Sequence, residues 1–88
     1  MNNIVMIEEL KQFMIDELLV ERPIDEIGTD MLLGNDLNVD SLGFTELMAY
    51  LENKYQIQIT DEEFVPDNFR NIDAIVELVN RKTAVVHE

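Results

Sequence analysis

The stretch NDLNVDSLGF, Asn35 to Phe44, sets a serine between an aspartate and a leucine where a loop-like segment gives way to a helical pattern. The hydroxyl of Ser41 has two uses there. It can cap the helix by accepting a hydrogen bond from a first-turn N–H, worth about 1 kcal/mol. Alternatively, Asp40 does the capping and Ser41 is spare, projecting from the positive end of the helix dipole where an attached phosphate is favoured. Capping is the commoner role of such a serine, and the residues leave both uses open. Leu42 beside it is a large apolar side chain on an outward stripe with Thr45 and Ala49, although isolated surface leucines are ordinary.

Other chemistry is scarce. The chain has no cysteine, which excludes disulfides and thiolate sites, and one histidine, His87, which excludes a zinc cluster or a histidine triad within this chain. Ser41 has no neighbouring base, the lysines being Lys11, Lys54 and Lys82, so nothing activates it as a nucleophile and no enzyme is expected. Asp61, Glu62 and Glu63 are a polar turn in a chain too small to enclose a substrate between paired acids. The stretch DNFRNIDAIVE lacks the glycine and terminal acid of a calcium loop, and no metal site is expected.

Nineteen acids against six bases give a formal charge of −13 over 88 residues. Phosphate-rich nucleic acid is repelled by such a surface, whereas basic protein surfaces are attracted and their encounter accelerated. The apolar fraction of 47% is enough for one small core, so residues 1–88 read as a single domain. The amino terminus has neither a basic leader nor a long apolar run, so a membrane span is not expected and a cytoplasmic location is.

Helical periodicity supplies the elements that must position Ser41. IVMIEELKQFMIDELLVE repeats Ile7, Leu10, Met14 and Leu18 at helical spacing, widened by Met6 and Phe13, with Asn2 or Asn3 as cap and Pro23 as the stop. PIDEIGTDMLLGNDLN is too rich in glycine, aspartate and asparagine for a helix, yet Ile24, Ile27, Leu32, Leu33 and Leu37 press it against the core. SLGFTELMAYLENKY is the second helix, with Phe44, Leu47, Met48, Leu51 and Tyr55 facing inward. Gly43 is a propensity penalty within it. QIQIT reads as an extended linker, followed by a short turn capped by Thr60 and Glu63 and broken at Pro66. NIDAIVELVNRK closes the chain as a helix capped by Asn71 or Asp67, with Ile72, Ile75, Val76 and Val79 inward. The fold class is all-α: a small four-helix bundle of three main helices and one short one, with a long loop between the first and second.

The segment LGNDLNVDSLGFTELMAYLENKYQIQIT, residues 33–60, resembles the acyl and peptidyl carrier proteins. The match centres on Asp40, Ser41 and Leu42, continues to Glu46 five residues beyond the serine, and extends in element order over nearly the whole chain. The resemblance implies that Ser41 receives 4'-phosphopantetheine from coenzyme A through a phosphodiester, installed by a separate magnesium-dependent phosphopantetheinyl transferase. The arm's thiol then holds cargo as a thioester, which accounts for a carrier without cysteine. It further implies a docking face of Asp36, Leu42, Thr45, Glu46, Ala49 and Glu52 for basic surfaces of biosynthetic enzymes, including an acyl- or aminoacyl-loading ligase or transferase, with the carrier itself a monomer. The Phe44, Leu47 and Leu51 stripe could line a cavity for an aliphatic chain, with plain packing the simpler reading.

Thr45 and Ala49 stand where the fatty acid members carry valine and methionine, which makes this face smaller and less apolar. The segment DEEFVPDNFRNI is longer than theirs and bears Phe64 and Phe69. Both departures favour a discrete carrier of a polyketide, peptide or aminoacyl pathway over the housekeeping carrier of fatty acid synthesis. A reading of another class is an acidic helical adaptor that carries nothing and uses Ser41 as a cap.

Overall fold

The computed structural model describes residues 3–85, with side chains through Thr83. Val86 and His87, and the side chain of Val85 expected to add a last apolar contact, lie outside the described residues. Among the described residues there are four helices and no strand: α1 (Asn3–Asp16), α2 (Ser41–Tyr55), α3 (Pro66–Phe69) and α4 (Ile72–Val85).

α1 ends earlier than its apolar pattern predicts. Leu19 adopts a left-handed φ of 59°, and the N–H of Val20 turns back to the carbonyl of Met14 at 3.0 Å. That fold-back buries Val20 and leaves Leu19 in solvent, so two adjacent apolar residues that both look helical part company. The rod is therefore about 21 Å long rather than about 25 Å. Its buried residues are Met6, Leu10 and Met14, with Ile7 and Phe13 half-buried beside them. Asn3 does not cap it: the Asn3 side-chain oxygen accepts instead from the Asn80 amide of α4 at 3.0 Å. Asn2 lies outside the described residues.

The connection from α1 to α2 is held by part of its expected apolar set: Ile24 is only half-buried and Leu32 is exposed, because the turn that begins at Leu32 leaves its side chain at the surface. Ile27, Leu33, Leu37 and Val39 are buried, a short 3₁₀ turn forms at Ile24–Glu26, and a second turn closes over Leu32 to Asp36. The Asp36 carboxylate caps that second turn by accepting from the Leu32 N–H at 2.8 Å. Asn38, a residue that tolerates left-handed geometry, has φ 60° and reverses the chain between buried Leu37 and buried Val39.

α2 runs over the predicted residues. It stops at Gln56, left-handed with φ 54°, where the Ile57 N–H reaches the Glu52 carbonyl at 3.3 Å in a Schellman-type ending. α1 and α2 lie antiparallel: Phe13 stacks on Tyr50 with centroids 4.2 Å apart, and Lys54 pairs with Glu9 one turn further along. The linker after α2 is extended. Its Ile59 N–H donates to the Glu52 carboxylate at 2.8 Å, and Ile59 is buried.

The short helix is not where the pattern placed it. Thr60 and Glu63 form a single turn, the Glu63 carboxylate accepting from the Thr60 N–H at 3.0 Å, but the helix itself is α3, begun by Pro66. Proline suits the first helical position because its missing N–H would have had no partner there. α4 packs against α1, α2 and α3 and centres the core. Asn71 caps it, its side chain accepting from the Ala74 N–H at 2.8 Å, and Leu78 joins Ile72, Ile75, Val76 and Val79 inside.

Candidate functional site

The first turn of α2 resolves the competition between Asp40 and Ser41. Asp40 is the cap. Its backbone is extended, its carboxylate accepts from the Gly43 N–H at 2.8 Å, and its carbonyl accepts from the Phe44 N–H at 2.9 Å. Ser41, the first residue of the helix, is exposed, and no described residue hydrogen-bonds its hydroxyl. Because Gly43 is taken by the cap, the Ser41 and Leu42 N–H groups are the ones left facing outward at this helix end. Leu42 is 68% exposed beside them.

Gly43 has a use that its propensity does not reveal. A Cβ there would lie 2.9 Å from Cγ1 of Val39 and 3.3 Å from the capping oxygen of Asp40. The chain entering the helix is thus packed directly against its first turn, with Leu18, just past the end of α1, close behind. Glycine lets the loop, the cap and the start of the helix occupy one small volume, and this fixes the position of Ser41.

Ser41 opens onto a cleft of about 470 Å³ between the start of α2 and α3. Its walls include Leu32, Phe44, Phe64, Val65 and Phe69, with Phe64 and Phe69 edge to face at 5.1 Å. Arg70 stands in the same lining. Of the inner stripe considered as a cavity wall, only Phe44 reaches this cleft; Leu47 and Leu51 are fully enclosed and serve as core.

The residues expected at the docking face divide by occupation. Leu42, Thr45, Glu46 and Ala49 are exposed along one side of α2. Asp36 and Asp40 are also exposed, each with an oxygen engaged by a backbone N–H. Glu52 is half-buried and holds the linker at Ile59, about 16 Å along the helix from Ser41. Glu46 alone among these four acids has no hydrogen bond or ion pair to a described residue. Thr45 donates its hydroxyl to the Ser41 carbonyl at 3.1 Å. The sequence reading missed Glu17, which the antiparallel packing brings from the turn after α1 to the same groove as Glu46 and Ala49. It also gave no reason to place Arg70 in the lining of the same cleft as Ser41. No local signal marks either residue, since both positions follow from tertiary packing. Among the described residues no group of three or more histidine, cysteine or acidic side chains could hold a metal ion.

Away from Ser41, the Lys82 ammonium donates to the Glu63 carboxylate at 2.7 Å. This contact, with the Thr60 N–H behind it, holds the Glu63 carboxyl below the usual glutamate range. Burial pushes the Tyr55 hydroxyl up to about 12, so it stays neutral at the end of α2.

The described bundle thus offers an unengaged serine at a helix start, beside an apolar cleft and an acidic flank. The chain matches the family described as "phosphopantetheine attachment site" over residues 8–79 and belongs to it. The group held at such a site is 4'-phosphopantetheine, attached covalently. The chain is similar to the acyl carrier protein of Thermosynechococcus vestitus, 29% identical, covering 96% of this chain and 99% of that protein. That of Buchnera aphidicola subsp. Baizongia pistaciae is 32% identical, over 84% of this chain and 90% of the relative. That of Streptomyces coelicolor is 38% identical over shorter spans, 66% and 62%.

Proposed function

We propose that this chain is an acyl carrier whose Ser41 bears the 4'-phosphopantetheine arm. The carrying observation is the exposed Ser41 hydroxyl at the start of α2, relieved of capping by Asp40. The fit of the arm is supported by the outward first-turn N–H groups of Ser41 and Leu42, which favour an anion, and by an apolar cleft opening from the same residue. When attached, the arm supplies the thiol that holds an acyl or aminoacyl intermediate as a thioester. The chain's own residues do the rest. Asp40 sets the helix start, Gly43 admits the close packing that fixes it, and the cleft shelters apolar parts of the arm or cargo from water.

Docking runs over Leu42, Thr45, Glu46 and Ala49, with Asp36 and Asp40 adding negative field. Leu42 enters a pocket of the partner, and Glu46 meets its arginines or lysines. Glu52 contributes charge at the far end while it holds the linker. Rim charges of this kind act on the rate of encounter and its salt dependence more than on final affinity, which suits a shuttle that must leave each enzyme. The partners are a phosphopantetheinyl transferase, a loading ligase or transferase and later biosynthetic enzymes, in the cytoplasm, with the carrier monomeric. No described helix is long and apolar enough to cross a membrane.

A discrete carrier of a polyketide, peptide or aminoacyl pathway is the finer reading. It is supported by the small side chains Thr45 and Ala49 on the docking face and by the Phe64–Phe69 wall beside Ser41. The housekeeping carrier of fatty acid synthesis is the second reading, favoured by the names of the relatives. The test of the carrier reading is direct. Incubation with coenzyme A, magnesium and a phosphopantetheinyl transferase should add the mass of one phosphopantetheine group, and Ser41→Ala should abolish the gain while keeping its helical circular dichroism. An unmodified wild-type chain, under conditions where a control carrier reacts, would favour the adaptor instead.

A further inference from the structure

Arg70 is far from Ser41 in sequence, yet both line one cleft whose walls hold no carboxylate and no second cation. Its placement is fixed rather than incidental. The Arg70 carbonyl accepts from the Leu33 N–H at 2.9 Å, and the Leu33 carbonyl accepts from the Val39 N–H at 2.8 Å. Two successive backbone hydrogen bonds thus tie the end of α3 to the residue two places before Ser41.

The Arg70 side chain is exposed and donates one N–H to the Asp67 carbonyl, leaving most of the guanidinium's five donors unused. Lys54, Arg81 and Lys82 are ion-paired to glutamates, whereas Arg70, like Lys11 and Arg22, has no carboxylate partner among the described residues, in a chain with nineteen acids; of these three cations Arg70 is the one that lines the cleft of Ser41. A cation left unpaired on such a surface, at the rim of the cleft that the modified serine opens onto, has an evident counter-ion.

We propose that the Arg70 guanidinium pairs with the phosphodiester carried on Ser41 and holds the root of the arm against the cleft. The proposal rests on Ser41 as the attachment point. A phosphodiester there adds negative charge beside Asp36, Asp40 and Glu46, and helix-end N–H groups alone must offset that repulsion unless a cation joins them. A guanidinium matches two phosphate oxygens with parallel N–H donors, which fixes direction as well as charge. The arm then starts along the apolar wall of Phe64 and Phe69 rather than into water. Lysine at position 70 would keep the charge but lose the fork.

The test uses the full chain, loaded with coenzyme A and a transferase, and reads phosphorus and arginine side-chain resonances by NMR. In the wild type, the Arg70 Nε–Hε signal should move between unloaded and loaded protein. The ³¹P signal should stand apart from that of the same loaded protein unfolded in urea, which carries the same phosphodiester without the fold. Arg70→Gln should shift the ³¹P signal toward the unfolded value, Arg70→Lys should fall between, and Arg81→Gln should match the wild type. An Arg70 signal unmoved by loading, with one ³¹P position in wild type and Arg70→Gln, overturns the pairing. The wild-type arginine signal needs no variant to fold. Absence of any mass gain at Ser41 overturns the attachment itself, and the two failures are told apart by the mass spectrum.

Discussion

Replacing Gly43 by alanine should destabilise this protein, although alanine is the better helix former. In an unconstrained helix the change gains at most about 1 kcal/mol, and less in a first turn. Here the new methyl would sit 2.9 Å from Cγ1 of Val39, well inside the roughly 3.5–4.0 Å of a comfortable carbon contact. Val39 is 8% exposed, and its β-branched side chain has little rotamer freedom to withdraw. Overpacking of that kind costs about 1–3 kcal/mol. The same methyl lies 3.3 Å from the Asp40 oxygen that caps the helix, so part of a cap worth about 1 kcal/mol is also at stake. After the propensity gain, a net loss of about 1–2 kcal/mol remains, equivalent to a fall in Tm of roughly 5–15 °C at this chain length. Thermal and urea unfolding followed by far-ultraviolet circular dichroism would measure it. The decisive control is the Val39→Ala background, where the obstructing methyl is gone and Gly43→Ala should be neutral or stabilising. A rise in Tm in the wild-type background, or an equal fall in both, would refute the close-packing argument.

Three further outcomes are expected. Glu46→Lys should slow phosphopantetheinyl transfer to Ser41 several-fold with unchanged helicity, and the difference should shrink at high salt; an unchanged rate moves the docking face elsewhere. Glu63 has a lowered carboxyl pKa, chiefly through its hydrogen bond from Lys82, so its contribution is complete above the ordinary glutamate range and is lost as pH falls through the lowered value. Glu63→Gln should therefore flatten the acid limb of a Tm-versus-pH curve, and an identical limb in both proteins contradicts the assignment. With a net charge of −13, moderate salt or millimolar magnesium should raise the wild-type Tm by screening self-repulsion, and a flat response would count against it.

The acids near Ser41 are not interchangeable. Asp40 and Asp36 each give one oxygen to a local N–H, and Glu52 fastens the linker, so removing any of these disturbs fold and field together. Glu46 contributes field alone. That separation makes it the cleanest probe of docking, and Glu17, in the turn after α1 and drawn to the same groove, is the natural second site.

Much of this was legible in the residues because it depends on local order. α2, its inward stripe, the Asn71 cap and the extended linker follow from helical period and side chains acting within four positions. Where the reading failed, distant packing decided. α1 stops at Asp16 because burying Val20 outweighs the helical preference of the chain that continues past it, and no nearby residue announces that. The short helix starts at Pro66 rather than ending there because the Thr60–Glu63 turn is already closed by its own hydrogen bonds.

By itself the sequence determined an acidic helical bundle with a serine at a helix start, since charge, periodicity and capping chemistry are properties of neighbours along the chain. Only the folded structure decided that Asp40 takes the cap and Ser41 stays free, that glycine is required at position 43, and that Arg70 and the Phe64–Phe69 wall line one cleft with that serine. The shared cleft arises from contacts between segments remote in sequence, which a linear pattern does not encode; the cap and the crowding at Gly43 lie within four residues of chain, but the sequence offers two adjacent cap candidates and no sign of how closely Val39 approaches.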